Sequence, residues 1–88
     1  MIGLLVLWAC AERCQSACTA LGDEVAACGW ADAAWTDRRD FDRWCDAWGL
    51  EAPLAVDGDA GDWCDQVADE ARAGGCAVLV SGEWSAWP

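Results

Sequence analysis

Asp57 and Asp59 stand one residue apart in the run Leu54-Ala55-Val56-Asp57-Gly58-Asp59-Ala60-Gly61-Asp62. Two carboxylates so spaced, just past an apolar run, suit a hard cation. Mg²⁺ takes one or two carboxylates and completes its shell with water and phosphate oxygens. A helix opening near Asp62 would add its positive end for a phosphate. The same loop also satisfies a plain turn into a helix, with Gly58 and Gly61 for backbone freedom, Asp59 as N-cap and Asp62 in the first turn. A calcium loop fits poorly, because its twelfth position counted from Asp57 is Ala68 rather than Glu.

The next segment carries more acids. Asp62, Asp65 and Asp69 recur at i, i+3, i+7 with Glu70 beside them. Like charges four apart on a helix cost ~0.2–0.5 kcal/mol, and Arg72 is the nearby cation that offsets them. A solvated face is the plain reading. The functional one is a partner-binding surface of Asp62, Asp65, Asp69 and Glu70, which imitates nucleic-acid phosphates and occupies a basic groove. Cys10 is a candidate reactive thiol, since a cysteine where an apolar run meets a helix start has its pKa lowered by the helix terminus. Its position resembles the phosphocysteine loop of sugar-phosphotransferase IIB domains. Those loops continue with Gly and Ser or Thr, whereas Ala11-Glu12-Arg13 follows here and Glu12 repels an anion. Cys10, Cys14 and Cys18 share one helical face, but three thiols without a fourth donor read as core packing rather than a soft-metal site.

Charge and composition narrow the classes. Sixteen acids face five basic residues, all Arg, and the net charge is −11 with no His. Such a field repels phosphate backbones, so direct nucleic-acid binding without a metal is not expected, nor is binding to an anionic membrane. Basic protein surfaces and cations are the partners it attracts. The lack of His removes Ser-His-Asp triads, Cys-His pairs and His-ligated zinc, leaving carboxylates, thiolates or water as general bases.

Seven Cys at 10, 14, 18, 28, 45, 64 and 76 make neither a pair of CxxC motifs nor an evident disulfide framework. They read as small buried hydrophobes of a reducing cytoplasm, which makes the expected location cytoplasmic. A rival reading rests on Leu7-Trp8-Ala9-Cys10, which resembles a bacterial lipoprotein cleavage box. Setting Cys10 aside leaves six Cys for three bridges. Against it, no Lys or Arg precedes Cys10, whereas signal peptides run ~15–30 residues from a basic start. No stretch reaches the ~20 apolar residues of a membrane span.

The elements that would position these groups read as one α/β domain over residues 1–88. Ile2 to Trp8 is an apolar run of the kind found in a strand covered on both faces. Cys14, Ala17, Cys18 and Leu21 mark one face of a helix closed by Gly22, and Val25 to Trp30 is a second apolar run. Thr36 caps a helix carrying Phe41, Trp44, Cys45 and Trp48 and ended by Gly49. Pro53 opens a third strand, Leu54 to Val56. A third helix turns Trp63, Val67, Ala68 and Ala71 inward, and Cys76 to Val80 is the fourth strand. The order β-α-β-α-β-α-β predicts a small single-layer parallel sheet of about four strands with helices on both faces. Its binding crevice would lie between residues 10–12 and 57–62.

In that setting the run LAVDGDAGD resembles the Asp-x-Asp strand of the toprim domain, the metal-binding module of topoisomerases and bacterial-type primases, and the order of elements is similar over nearly the whole chain. The resemblance implies Mg²⁺ held for phosphoryl transfer on nucleic acid by two Asp and a Glu that follows the first strand. Asp57 and Asp59 match the Asp positions. Trp8-Ala9-Cys10 occupies the expected place of the Glu, and Glu12 lies a few residues late. The candidate metal set is thus Asp57, Asp59 and Glu12. Two functions from different classes remain: a small acidic, non-enzymatic module that binds or regulates a basic partner, and a toprim-like Mg²⁺ domain, active or degenerate.

Overall fold

The computed structural model describes residues 12–56 and 58–85, and no strand occurs among them. Helix α1 covers residues 12–20, and α2 spans Gly22–Cys28. A 3-10 turn, Trp30–Asp32, leads to α3, Arg38–Ala55; α4 is Ala60–Ala73, α5 is Gly75–Ser81, and a second 3-10 turn is Glu83–Ser85. The expected parallel α/β sheet is therefore corrected to an all-α fold. Three of the four expected strands are largely helical: residues 25–28 end α2 and Trp30 opens the 3-10 turn, Leu54 and Ala55 end α3, and Cys76 to Val80 lie in α5. The first, Ile2 to Trp8, lies outside the described residues.

The inner faces explain why helices form. Cys14, Cys18, Leu21 and Val25 are all fully or almost fully buried, and their helical spacing runs on across the break between α1 and α2. Leu21 N–H bonds Cys18 O at 3.0 Å and Val25 N–H bonds Leu21 O at 2.9 Å, so the chain barely leaves helical geometry there. Gly22 begins α2 rather than closing α1. On α3, Phe41, Cys45, Trp48 and Ala52 make the buried stripe, and on α4 Cys64, Val67, Ala68 and Ala71 do.

Three disulfides join these faces. Cys14–Cys64 ties α1 to α4, Cys18–Cys45 ties α1 to α3, and Cys28–Cys76 ties α2 to α5. The reading of these cysteines as free thiols is replaced by six bonded ones. Closing loops of 50, 27 and 48 residues removes unfolded-chain entropy worth ~3.5–4 kcal/mol for each bridge taken alone. For a chain whose small size limits its core, that is a large contribution.

Local signals set the ends. Asp37 caps α3 by accepting the Asp40 N–H at 2.8 Å, while Asp40 accepts the Thr36 N–H at 3.0 Å, so the cap falls one residue later than expected. Gly29, Gly75 and Gly82 have φ of 102°, 74° and 72°, and each lies at a helix boundary where a Cβ would be strained. Gly49 does the opposite of what its type suggests. It is buried inside α3, where an added Cβ would come within 2.9 Å of the Gln15 backbone nitrogen. It is a contact point for α1 against α3, not a terminator. Pro53 sits in the last turn, near enough to the end at Ala55 that its missing N–H does not stop the helix short.

Two outcomes follow from this packing. Limited reduction and alkylation should label Cys28 and Cys76 first, because Cys76 is exposed and Cys28 half-buried while the other four bonded cysteines are buried. Mass mapping in which Cys14–Cys64 opens first would contradict it. Gly49→Ala should lower stability by about 1–3 kcal/mol in chemical denaturation, since the Gln15 side chain can turn aside but the Gln15 backbone behind it cannot. The surface change Gly58→Ala removes no such contact and serves as the strain-only control, for Gly58 has φ 90° with open space around it.

Candidate functional site

Arg13 organises the acidic residues singled out by the sequence. It projects from α1 to the start of α4, where its guanidinium lies 3.6 Å from Asp59, 3.0 Å from Asp62 and 2.8 Å from Asp65. Hydrogen bonds to Asp65 and then Asp62 push its pKa above the ordinary arginine value, so it stays charged at every relevant pH. Gly61 leaves room for this: a Cβ there would meet the Arg13 guanidinium at 2.5 Å. At the other end of α4, Arg72 pairs with Asp69 at 3.3 Å and with Glu24 of α2 at 2.9 Å. Arg38 holds Asp23 and Asp42, which raise its pKa in the same way. Three arginines thus gather seven carboxylates from α2, α3, α4 and the α4 cap.

Between Arg13 and Arg72 runs an open groove of about 770 Å³, floored by Ser16, Ala17, Ala20 and Ala68. Glu12, Asp65 and Asp69 also line it. Of the predicted partner-binding residues, Asp62, Asp65 and Asp69 are therefore drawn into contacts with the chain's own arginines. Glu70 is exposed and makes no ion pair among the described residues.

Of the candidate metal set, Asp59 and Glu12 lie within the described residues and Asp57 does not. Asp59 caps α4, accepting the Asp62 N–H at 3.1 Å, which is the plain turn the loop also allowed. Its carboxylate faces the Arg13 guanidinium, which would repel a divalent cation. Glu12 lies on α1 in the groove, and Asp57 is outside the described residues, as is Cys10. No cluster of three or more His, Cys, Asp or Glu able to hold a metal ion occurs among the described residues. Among the described residues, Asp59 and Glu12 alone do not make a site for a resident Mg²⁺.

A second site was not visible in the sequence. Trp30, Trp35, Phe41, Trp44, Trp48, Trp63 and Trp84 form a continuous ring cluster on α3 and its neighbours. Trp44 and Trp48 stack with centroids 6.2 Å apart and 14° between planes, and Trp84 meets Trp44 edge-on at 5.6 Å. Beside them Trp44, Ala47, Trp48, Glu51 and Ser85 line a cleft of about 370 Å³. The spacing 44, 47, 48, 51 was the available signal, because it is one helical face ending in a carboxylate. It was hidden by the expected end of the helix at Gly49.

No described helix is long and apolar enough to cross a membrane. The chain matches no protein family, no characterised protein and no solved structure. Fold and site together define a small, disulfide-bonded, all-helical domain with an acidic surface.

The ion pairs of Arg13 are half-exposed and screened, so they orient side chains more than they stabilise. Arg13→Ala should lower the melting temperature by roughly a few degrees at low salt and by nothing measurable in 1 M NaCl. A large loss that survives 1 M salt would mean that Arg13 acts through packing instead.

Proposed function

We propose that this chain is a non-enzymatic binding module that works in an oxidising compartment and presents a fixed acidic surface to a basic partner. The observation that carries it is the pairing of Cys14, Cys18, Cys28, Cys45, Cys64 and Cys76 in three bridges. Disulfides persist outside the reducing cytoplasm, and small domains with limited cores depend on them there. This favours an extracytoplasmic location over the cytoplasmic one. The surface charge supports the choice of partner. No polar or charged side chain is buried among the described residues, so the carboxylates act at the surface, where charge steers association.

The cysteine pairing also favours a second reading. It uses every cysteine except Cys10, and Cys10 closes the cleavage-box-like Leu7-Trp8-Ala9-Cys10. A lipid carried on Cys10 would hold the stapled domain at a membrane surface while its acidic face stays in water. In a bacterial host given an alkyne fatty acid, the chain with a lengthened leader should then be labelled and Cys10→Ser should not. Equal labelling of both, or none in either, removes the anchor and leaves the binding module standing.

The module itself is tested by comparing oxidised protein with reduced, alkylated protein against a lysine-rich peptide of about twenty residues. A fixed surface predicts binding at least about tenfold tighter in the oxidised form, with both losing affinity as salt rises. Equal affinity of the two forms would show that the chain binds as a polyanion and that its fold contributes nothing.

A further inference from the structure

We infer that the cleft of Trp44, Ala47, Trp48, Glu51 and Ser85 is a socket for one cationic side chain, an arginine or lysine of the partner. The inference rests on the reading of the chain as a module for a basic partner and names where that partner is gripped. Its volume, about 370 Å³, lies near the lower end of the ~300–1,000 Å³ range of ligand sites and suits a side chain rather than a large ligand.

The lining chemistry selects a cation. Trp44 is only partly buried and is fixed from three sides by rings: Trp35 at 5.1 Å, Trp48 at 6.2 Å and Trp84 at 5.6 Å. An indole held this way offers a rigid, electron-rich face, the preferred partner of guanidinium and ammonium groups. Glu51 stands one turn beyond Ala47 on the same face of α3, exposed, and makes no ion pair among the described residues. Other polar capacity in the cleft is committed. The Ser85 carbonyl accepts the Trp48 indole N–H at 3.0 Å, and the Ser85 hydroxyl donates to the Gly82 carbonyl. A sugar needs several converging donors and acceptors, whereas one carboxylate beside an aromatic wall meets the needs of a single positive charge.

The surroundings agree. Arg39 and Arg43 lie on the same helix but do not line the cleft, so no cation of the chain's own fills it among the described residues. Leu50 and Leu54, 59% and 77% exposed, extend an apolar strip along α3 beside Glu51. Large apolar side chains left in water next to a charge-selective pocket mark a contact surface. The occupant is then a basic side chain presented by a protein segment with apolar neighbours, whose stem covers the leucines while its head enters the cleft.

The test is a ¹H–¹⁵N NMR titration of the oxidised full chain with arginine amide and, separately, its uncharged isostere citrulline amide. Arginine amide should give saturable shifts of the Trp44 indole N–H and of the Ala47 and Glu51 amides at millimolar concentration. Citrulline amide should give shifts at least about fivefold weaker at the same concentration. Glu51→Gln, a surface change that leaves the ring cluster intact, should raise the dissociation constant for arginine amide several-fold, and Trp44→Leu should abolish the shifts. Equal response to citrulline amide, unsaturable or scattered shifts, or unchanged affinity in Glu51→Gln each overturns the socket. Because Glu51→Gln keeps the fold, the outcome does not depend on whether Trp44→Leu survives. If the socket fails while the oxidised protein still grips the lysine-rich peptide more tightly than the reduced one, the binding module stands and its contact lies elsewhere; if both fail, both readings fall.

Discussion

Cys14 and Cys18 leave α1 one helical turn apart on its buried face, and each is bonded to a different long helix. Cys14 reaches Cys64 on α4 and Cys18 reaches Cys45 on α3, with Cα–Cα separations of 5.2 and 5.5 Å. That pair of bonds fixes where α3 and α4 stand relative to α1. Side chains follow from the placement: Gly49 is needed because α3 is brought against Gln15, and Gly61 because α4 is brought under Arg13. The third bond, Cys28–Cys76, closes α5 onto α2. A domain of this size gains little from burial alone, so cross-links that shrink the unfolded ensemble decide whether it is folded.

The arginines work on the surface as the cysteines do in the core, but with a different physical result. Arg13, Arg38 and Arg72 each bridge separate helices, and all three are well over a third exposed. Their ion pairs are worth little in stability. Their effect is on the field: they cancel charge on α2, at Asp42 of α3 and along α4, and leave carboxylates such as Glu51 and Glu70 without an arginine partner among the described residues. A net charge of −11 is thus not spread evenly. The α4 row that looks most acidic in sequence is the part most neutralised in space.

How far the sequence could be read depended on element length. The inward residues of the long helices were legible, because Cys14, Cys18 and Leu21, then Phe41, Cys45 and Trp48, then Val67, Ala68 and Ala71 repeat at helical spacing over two or more turns. The short apolar runs were not. Val25 to Trp30 and Cys76 to Val80 are too brief for periodicity to separate a buried strand from a buried helix, and valine tipped the reading toward strand. The bond between Cys28 and Cys76 joins these two segments, α2 and α5. Six cysteines admit fifteen pairings, so sequence alone could not supply that constraint. The arginine partners of Asp59, Asp62 and Asp65 were not legible, since Arg13 comes from a helix whose placement rests on the same bonds.

Tryptophan usage completes the logic. The chain has eight Trp in 88 residues, and the six among the described residues gather their rings on one side, around α3 and the turn Glu83–Ser85. Trp48 and Trp84 spend their indole N–H groups on the Ser85 and Leu79 carbonyls, so the rings are oriented as well as buried. The disulfides tie α1 to α3 and α4 within the same core that buries Trp35 and Trp48. The rings form a rigid aromatic wall at the edge of α3. Under the proposed binding role, a wall built this way would lose little conformational entropy when a partner meets it.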